Sequence, residues 1–209
     1  MSIIKKITVL ISVVFTIALV SGYATKSSKT SNKKAEKKVV VKSKKMIHMF
    51  VTHGHCSTPF EGVIENMNVY TPMLQYEENS LGNMKISFEA NPNTFHVNRA
   101  EELTPRVQTP GLFIGINNEN ITFKSTNVYR MGVDWYQVNG KMTIKGEERE
   151  VKLFATSIRG SYDSGVSSMV LQGRVNLFDW GIDYDKLVNG KSEDIATKWL
   201  FLHLKVDLC

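Results

Sequence analysis

Apolar and polar residues alternate along most of the chain after residue 45. In residues 84–90, for example, Lys85, Ser87 and Glu89 separate apolar side chains at the even positions. A strand with one buried and one exposed face has this pattern, because successive side chains point to opposite faces. Together with the neighbouring apolar runs, the alternation predicts about eight strands, near residues 46–53, 60–70, 84–90, 121–128, 136–144, 151–155, 169–177 and 200–208.

Helical patterns are short. They are predicted only at Arg99–Val107, where Pro105 limits the length, and at Ser192–Thr197. Strands of this number and length indicate an all-β domain, with one antiparallel sheet closed into a barrel or folded into a sandwich. A barrel of roughly eight strands can hold one small ligand, whereas a sandwich fills its core with its own side chains. Periodicity alone does not choose between the two.

The N-terminus is typical of an export signal. Lys5 and Lys6 precede an apolar run from Ile7 to Val20, and small residues follow, with a cleavage site predicted after Ala24. The apolar run is short for a membrane span, so residues 1–24 are interpreted as a signal peptide, with a retained N-terminal anchor as the alternative. Export places the mature protein in the periplasm of the bacterial cell envelope or outside the cell.

A lysine-rich stretch separates this signal from the predicted domain. Residues 25–45 carry nine lysines and a single acid, Glu36, and are predicted to be a disordered linker. The linker contributes +8 and the signal +2 to the net charge of +6, which leaves −4 for residues 46–209. The domain itself is therefore mildly acidic, and nucleic-acid binding is not expected. Contact between the linker and a membrane surface stays open, as does a homodimer.

Histidines cluster in "IHMFVTHGHCST", residues 47–58. On a strand His53 and His55 share a face, while His48 points to the opposite one, so the cluster reduces to a pair. A metal site using His53, His55 and Cys56 would need further ligands from elsewhere in the fold. We therefore predict no metal and keep this site as a lesser alternative. A disulfide between Cys56 and Cys209 also stays open.

Catalytic motifs are not evident. The chain contains no G-x-S-x-G, H-E-x-x-H, P-loop or dinucleotide-binding glycine motif. Histidines and acids are present, but they are scattered as in most exported domains of this size. The protein is therefore not predicted to be an enzyme.

The segment "ITFKSTNVYRMGVDWYQVNGKMTIKGEEREVKLFAT", residues 121–156, resembles the central signature of the YceI family of exported lipocalin-like barrels. The signature is met by Ile121, Thr122, Phe123, Ser125, Thr126, Tyr136, Val138, Gly140, Thr143, Ile144, Gly146, Val151 and Leu153, with Met142 in a leucine position. Residues 172–183 and 109–113 resemble two further family segments more loosely. The resemblance covers most of residues 46–208.

Two departures bear on the ligand. Ala100 and Glu102 stand where the family often has Asp and His, and Leu177 replaces an arginine that commonly follows the late asparagine. If those polar residues bind a ligand headgroup in relatives, this chain must bind the headgroup through other residues. The resemblance thus implies the fold more firmly than the identity of the ligand.

The resemblance implies an eight-stranded antiparallel lipocalin-like barrel over residues 46–209, with short helical insertions. It also implies a binding protein that sequesters or carries an isoprenoid, quinone-like or fatty amphiphile, with no cofactor besides such a lipid. The alternative is an envelope interaction protein whose barrel is filled and whose surface binds a membrane or protein partner. The residues expected to contact the ligand are Met84, Ile86, Phe88, Phe123, Tyr136, Val138, Met142, Ile144, Leu153, Leu171 and Trp180, with His53 and His55 at the rim.

The tryptophans divide into two groups. Trp135 and Trp199 have parity opposite to the apolar positions of their strands, which places them outside or at a rim. There they either contact a partner or membrane, or simply cover a strand. Trp180 is expected in the core or in the pocket.

Overall fold

The computed structural model describes residues 37–41, 45–53, 56–71, 81–161, 164–189 and 198–208. The chain divides into two units, residues 1–34 and 35–209, and all described residues belong to the second. The predicted signal peptide, most of the predicted linker, the helix predicted at Ser192–Thr197 and Cys209 lie outside the described residues.

Within the described residues the chain forms nine strands and four short helical segments. The strands are β1 (Lys37–Val41), β2 (Lys45–His53), β3 (Cys56–Thr71), β4 (Lys85–His96), β5 (Ile121–Gly132), β6 (Trp135–Ile144), β7 (Glu147–Arg159), β8 (Val166–Asn176) and β9 (Trp199–Asp207). The helical segments are the 3₁₀ turns Glu101–Leu103 and Leu177–Trp180 and the α-helices Thr104–Val107 and Tyr184–Asn189. The helical prediction at Arg99–Val107 is confirmed, whereas Tyr184–Asn189 lies outside the predicted elements.

Strands β2 to β9 close into a ring in which every neighbouring pair is antiparallel. Consecutive strands pair along the chain, and β9 pairs with β2 to complete the circle. Closure satisfies the backbone groups that an open sheet would leave at its edges. The prediction of an eight-stranded antiparallel barrel is therefore confirmed, and the sandwich is excluded.

Strand β1 lies outside this ring. It pairs with Met67–Thr71 at the end of β3, whereas β2 pairs with the earlier part, Cys56–Ile64. The sequence predicts a disordered linker through residue 45, whereas the structure pairs residues 37–41 with β3. The physical reason is that Val39, Val40 and Val41 are β-branched and favour a strand, which the long β3 is able to pair with.

Alternating burial separates the inner wall of the barrel from its outer wall. In β6 the even positions 136 to 144 are all buried, and the odd positions are half-buried or exposed. Gly140 lies on the inner face, where the sequence predicts a bulge or a close approach. Both are present, because β5 shifts register between Ser125 and Asn127 opposite this glycine, and a Cβ at Gly140 would lie 2.5 Å from the Phe123 ring.

Because consecutive strands are antiparallel, their connections alternate between the two ends of the barrel. We call the end that carries the β2–β3, β4–β5, β6–β7 and β8–β9 connections the capped end. The opposite end, which carries the β3–β4, β5–β6 and β7–β8 connections, is called the hairpin end. All four helical segments belong to the capped end.

Candidate functional site

Eleven of the thirteen predicted ligand-contacting residues have described side chains, and each of them is buried, with at most 3% of its surface exposed. Nine lie on strands, Met84 lies directly before β4, and Trp180 lies in the 3₁₀ turn at the capped end. The structure therefore gathers these eleven in one apolar core. His53 is the last residue of β2, but its side chain and the whole of His55 lie outside the described residues. Their role as ligand contacts stays a prediction.

Aromatic rings line the inner wall near the capped end. Phe60, Phe95 and Phe113 pack together, with ring centroids 5.3 to 5.7 Å apart. Further along the wall, Phe88 stacks on Phe123 across β4 and β5 at 5.3 Å. Such pairs add directional contacts to the burial of apolar surface.

The segment from Leu177 to Tyr184 crosses the capped end. Trp180 Nε1 donates a hydrogen bond of 2.8 Å to the carbonyl oxygen of Glu147 at the start of β7. Four residues later, Tyr184 Oη donates to Thr58 Oγ1 in β3 at 3.5 Å. Since β3 and β7 lie four strands apart in a ring of eight, these contacts join opposite walls. The segment therefore spans this opening, and Trp180 has the core position that its sequence predicts.

The buried position of Tyr184 at the capped end affects the ionisation of its hydroxyl. Burial raises the pKa of the Tyr184 hydroxyl, because the phenolate would lose its hydration, and the hydrogen bond to Thr58 opposes the shift. At the capped end the buried environment therefore favours the neutral Tyr184 hydroxyl over the phenolate.

The hairpin end is held by a different kind of contact. Asp134, in the β5–β6 turn, accepts hydrogen bonds from Arg159 Nε and Nη2 and from Ser157 Oγ in β7. The Arg159 hydrogen bond is the main reason that the pKa of Asp134 is lowered, with the Ser157 hydrogen bond adding to it and desolvation opposing. These contacts fix the turn to the adjacent strand. Met131 and Val133 beside it remain exposed, with 50% and 73% of their surfaces accessible.

Tyr136 is the second residue of β6, next to this turn. Its side chain is completely buried on the inner face, and no hydrogen-bond partner for its hydroxyl is found among the described residues. Ala155 lies opposite it on β7, and Arg130 lies opposite it on β5. The sequence predicts that Tyr136 belongs to the apolar lining. Whether its hydroxyl has a hydrogen-bond partner depends on residues that only the fold brings close to it.

A row of polar side chains crosses the outer wall, and sequence reasoning missed it. His48 Nδ1 lies 2.9 Å from Glu61 Oε1, and His96 Nε2 lies 4.0 Å from the other carboxylate oxygen. His203 faces His48 from β9, with ring centroids 6.5 Å apart. His48 alternates with the buried Ile47 and Met49 and therefore faces outward, but the pairing register is needed to find its partners. No group of three or more metal-ligating side chains in a metal-binding arrangement occurs among the described residues.

Trp135 and Trp199 face outward, as their parity predicts. Trp135 is 43% exposed and stacks on Phe154 at 5.8 Å. Trp199 is half-buried beneath Arg174, whose guanidinium lies 4.4 Å from the ring centroid. Both rings thus cover neighbouring strands, and contact with a partner or membrane stays a prediction.

Two open grooves on the outer wall have polar linings. The larger, about 570 Å³, runs over β5, β6 and β7 and is lined mainly by polar residues such as Asn127, Asn139 and Lys152. The smaller, about 360 Å³, lies over β3, β4 and β5. Neither suits a hydrophobic ligand as well as the apolar inner wall does. Among the described helices, none has the length and hydrophobicity needed to cross a bilayer.

Comparison with known proteins agrees with this architecture. A model of the YceI-like domain matches residues 24–199. No curated protein gives a significant match. The crystal structure of BcnA from Burkholderia cenocepacia is similar with a TM-score of 0.56 at 13% identity, covering 78% of this chain and 96% of that one. A mutant of the Campylobacter jejuni YceI protein with a monobromobimane guest is similar with a TM-score of 0.50 at 13% identity, covering 75% and 89%.

At this identity the solved structures show the shared fold and no more. The family resemblance carried by residues 121–156 is confirmed by the domain model, which spans most of the chain. The chain belongs to the family of proteins with a YceI-like domain, barrels that bind hydrophobic ligands.

Proposed function

We propose that this protein is an exported carrier that holds a long-chain amphiphile, such as an isoprenoid, a quinone-like lipid or a fatty compound, inside its barrel. The observation that carries the proposal is the continuous apolar inner wall, which extends over all eight strands of the ring. Family membership supports it. The proposed location is the periplasm or the exterior of the cell, which rests on the N-terminal signal predicted from the sequence.

The chemistry of the inner wall suits such a ligand. It combines aromatic rings with methionines, including Met49, Met84, Met142 and Met169, whose unbranched side chains adapt to ligands of different shape. Each ligand methylene removed from water would contribute about 0.8 kcal/mol. A chain of moderate length would therefore bind firmly with few polar contacts, and discrimination among chain types would be loose.

Gentle purification of the full-length protein tests the proposal directly. Native mass spectrometry and organic extraction should detect a co-purifying amphiphile at close to one per protein. The matched variants are Ala155→Leu, which adds volume to the inner wall, and Thr156→Leu, which adds it to the outer face of the same strand. We expect Ala155→Leu to lower the amount of bound amphiphile and Thr156→Leu to leave it unchanged.

The same experiment separates the carrier from the rival interaction protein. The rival is favoured by the exposed apolar residues at the tip of the β5–β6 hairpin, including Met131 and Val133. A filled barrel would carry no amphiphile, and Ala155→Leu would instead reduce its stability by about 1–3 kcal/mol through overpacking. That pair of results would disprove the carrier.

A further inference from the structure

Tyr136 is the one tyrosine hydroxyl that the described part of the chain buries completely without a hydrogen-bond partner. Buried hydroxyl groups in folded proteins are nearly always paired, because leaving one unpaired forfeits its hydrogen bonds to water. The hydroxyl belongs to a side chain on the inner wall, in the space that the proposed function assigns to the ligand. An unpaired donor there is therefore best explained by a ligand atom.

We propose that the Tyr136 hydroxyl donates a hydrogen bond to a carbonyl oxygen of the bound amphiphile, and that the ligand's polar end therefore lies at the hairpin end of the barrel. This inference rests on the proposed function and names the chemical class of its ligand. It also gives the ligand a direction within the barrel.

The burial of Tyr136 selects a neutral acceptor. A carboxylate or phosphate held at this depth would lose its hydration and would need a buried cation as partner. Arg130, directly opposite on β5, shares the inner face with Tyr136, but it is exposed at the rim. A carbonyl oxygen carries no net charge, so it accepts the hydrogen bond without needing a buried cation beside it.

The register of the sheet sets the direction of the ligand. The cross-strand row through Tyr136 passes through Ala155, Leu171 and Leu204 to Ile47 on β2. Ile47 precedes His53 by six positions, which is about 20 Å along the strand. The carbonyl group therefore lies far from His53 at the end of β2, and the hydrocarbon chain runs from Tyr136 toward the capped end, along the inner wall formed by Val138, Met142 and Ile144.

Two probes of equal chain length test the inference. They are 2-tetradecanone, which has a carbonyl oxygen, and 1-tetradecene, which does not, and each is titrated against protein loaded with the fluorescent apolar dye N-phenyl-1-naphthylamine. Tyr136→Phe removes only the hydroxyl. The matched control is Tyr129→Phe, an exposed tyrosine whose hydroxyl accepts a hydrogen bond from Asn127 on the outer wall.

We expect Tyr136→Phe to weaken binding of the ketone about tenfold, which corresponds to one hydrogen bond, and to leave the alkene unchanged. Tyr129→Phe should alter neither. The infrared carbonyl stretch of ketone labelled with carbon-13 should shift to lower frequency in the wild-type complex and lose this shift in Tyr136→Phe. Without ligand, Tyr136→Phe should unfold at the same temperature as the wild type or higher, because it removes an unpaired buried hydroxyl.

Three outcomes would overturn the inference. If Tyr136→Phe binds the ketone as the wild type does, the hydroxyl is no ligand contact, although the carrier function stands. If both probes weaken equally, the effect is one of packing, and again only the inference fails. If the wild type binds neither probe, the proposed function fails and the inference with it.

Discussion

The two ends of the barrel are fixed in different ways. At the capped end, hydrogen bonds from Trp180 and Tyr184 reach β7 and β3, which lie on opposite sides of the ring. At the hairpin end, Asp134 binds Arg159 and Ser157 on the strand next to its own turn. Contacts between opposite walls bridge an end of the barrel, whereas contacts between neighbouring strands stiffen its rim. Among the described contacts, those of Trp180 and Tyr184 bridge the capped end from wall to wall, whereas those of Asp134 stay on one side of the rim.

The largest expected loss of stability comes from truncating Trp180, in the segment that crosses the capped end. Trp180→Ala deletes a buried ring and its hydrogen bond to Glu147, and should lower the free energy of unfolding by about 3–5 kcal/mol. Urea denaturation followed by circular dichroism measures this loss. Trp135→Ala is the control at the hairpin end, where the exposed ring should cost less than about 1 kcal/mol. Similar losses for the two variants would contradict the contrast between the ends.

The second prediction concerns the anchor of the hairpin turn. Asp134→Asn weakens the charge-assisted hydrogen bonds with Arg159 and should cost about 2 kcal/mol at neutral pH. Because the folded-state pKa of Asp134 lies below 3.8, its stabilisation is present above that pH and is lost as the pH falls through the folded-state pKa. The difference between wild type and Asp134→Asn should therefore shrink in acid. Urea denaturation from neutral pH downward gives both results.

An exposed ion pair serves as the control for this anchor. Glu148 lies 2.7 Å from Lys141 on the outer wall, and both side chains are about half exposed. Glu148→Gln should leave stability unchanged within error, because water screens the pair. A loss equal to that of Asp134→Asn would mean that the anchor is no stronger than any surface contact.

A smaller effect is expected from the hydroxyl of the cap. Tyr184→Phe removes the hydrogen bond to Thr58 and should cost less than about 1 kcal/mol at neutral pH. Since burial raises the folded-state pKa of Tyr184 above 10, the neutral hydroxyl stabilises the fold below pH 10, and this contribution is lost as the pH rises through the folded-state pKa. Thermal unfolding on both sides of pH 10 should show a steeper alkaline decline for wild type than for Tyr184→Phe. Parallel curves would be the contrary result.

The smallest effect is expected at the tip of the hairpin. Val133→Asp places a charge on a side chain that is already 73% exposed, and should change the free energy of unfolding by less than about 0.5 kcal/mol. Val166→Asp, at a buried valine of the same end, should cost several kcal/mol because it buries a charge. Thermal unfolding of the two variants compares them. A large loss for Val133→Asp would show that the tip packs against the rest of the protein.

The sequence predicts the barrel wall better than it predicts the site. Strand parity correctly assigns Met84, Val138 and Leu171 to the buried face, and Trp135 to the outer face, because a two-residue repeat is a local property of the chain. The neighbours of a side chain come from distant strands, so the His48–Glu61 pair and the unpaired hydroxyl of Tyr136 require the register. The lysine-rich composition of residues 25–45 favours disorder, whereas the β-branched Val39, Val40 and Val41 favour a strand, and residues 37–41 pair with β3.

Strand β1 is paired with the barrel but is not one of the strands that close it. The ring closes through the β2–β9 pair, and β1 contributes no bond to that closure. A protease that cut between β1 and β2 would strip Met67–Thr71 of one flanking strand but leave all eight strand pairs of the ring intact. The closed ring of eight strand pairs therefore begins at Lys45, and β1 adds a ninth strand to the outside of that ring.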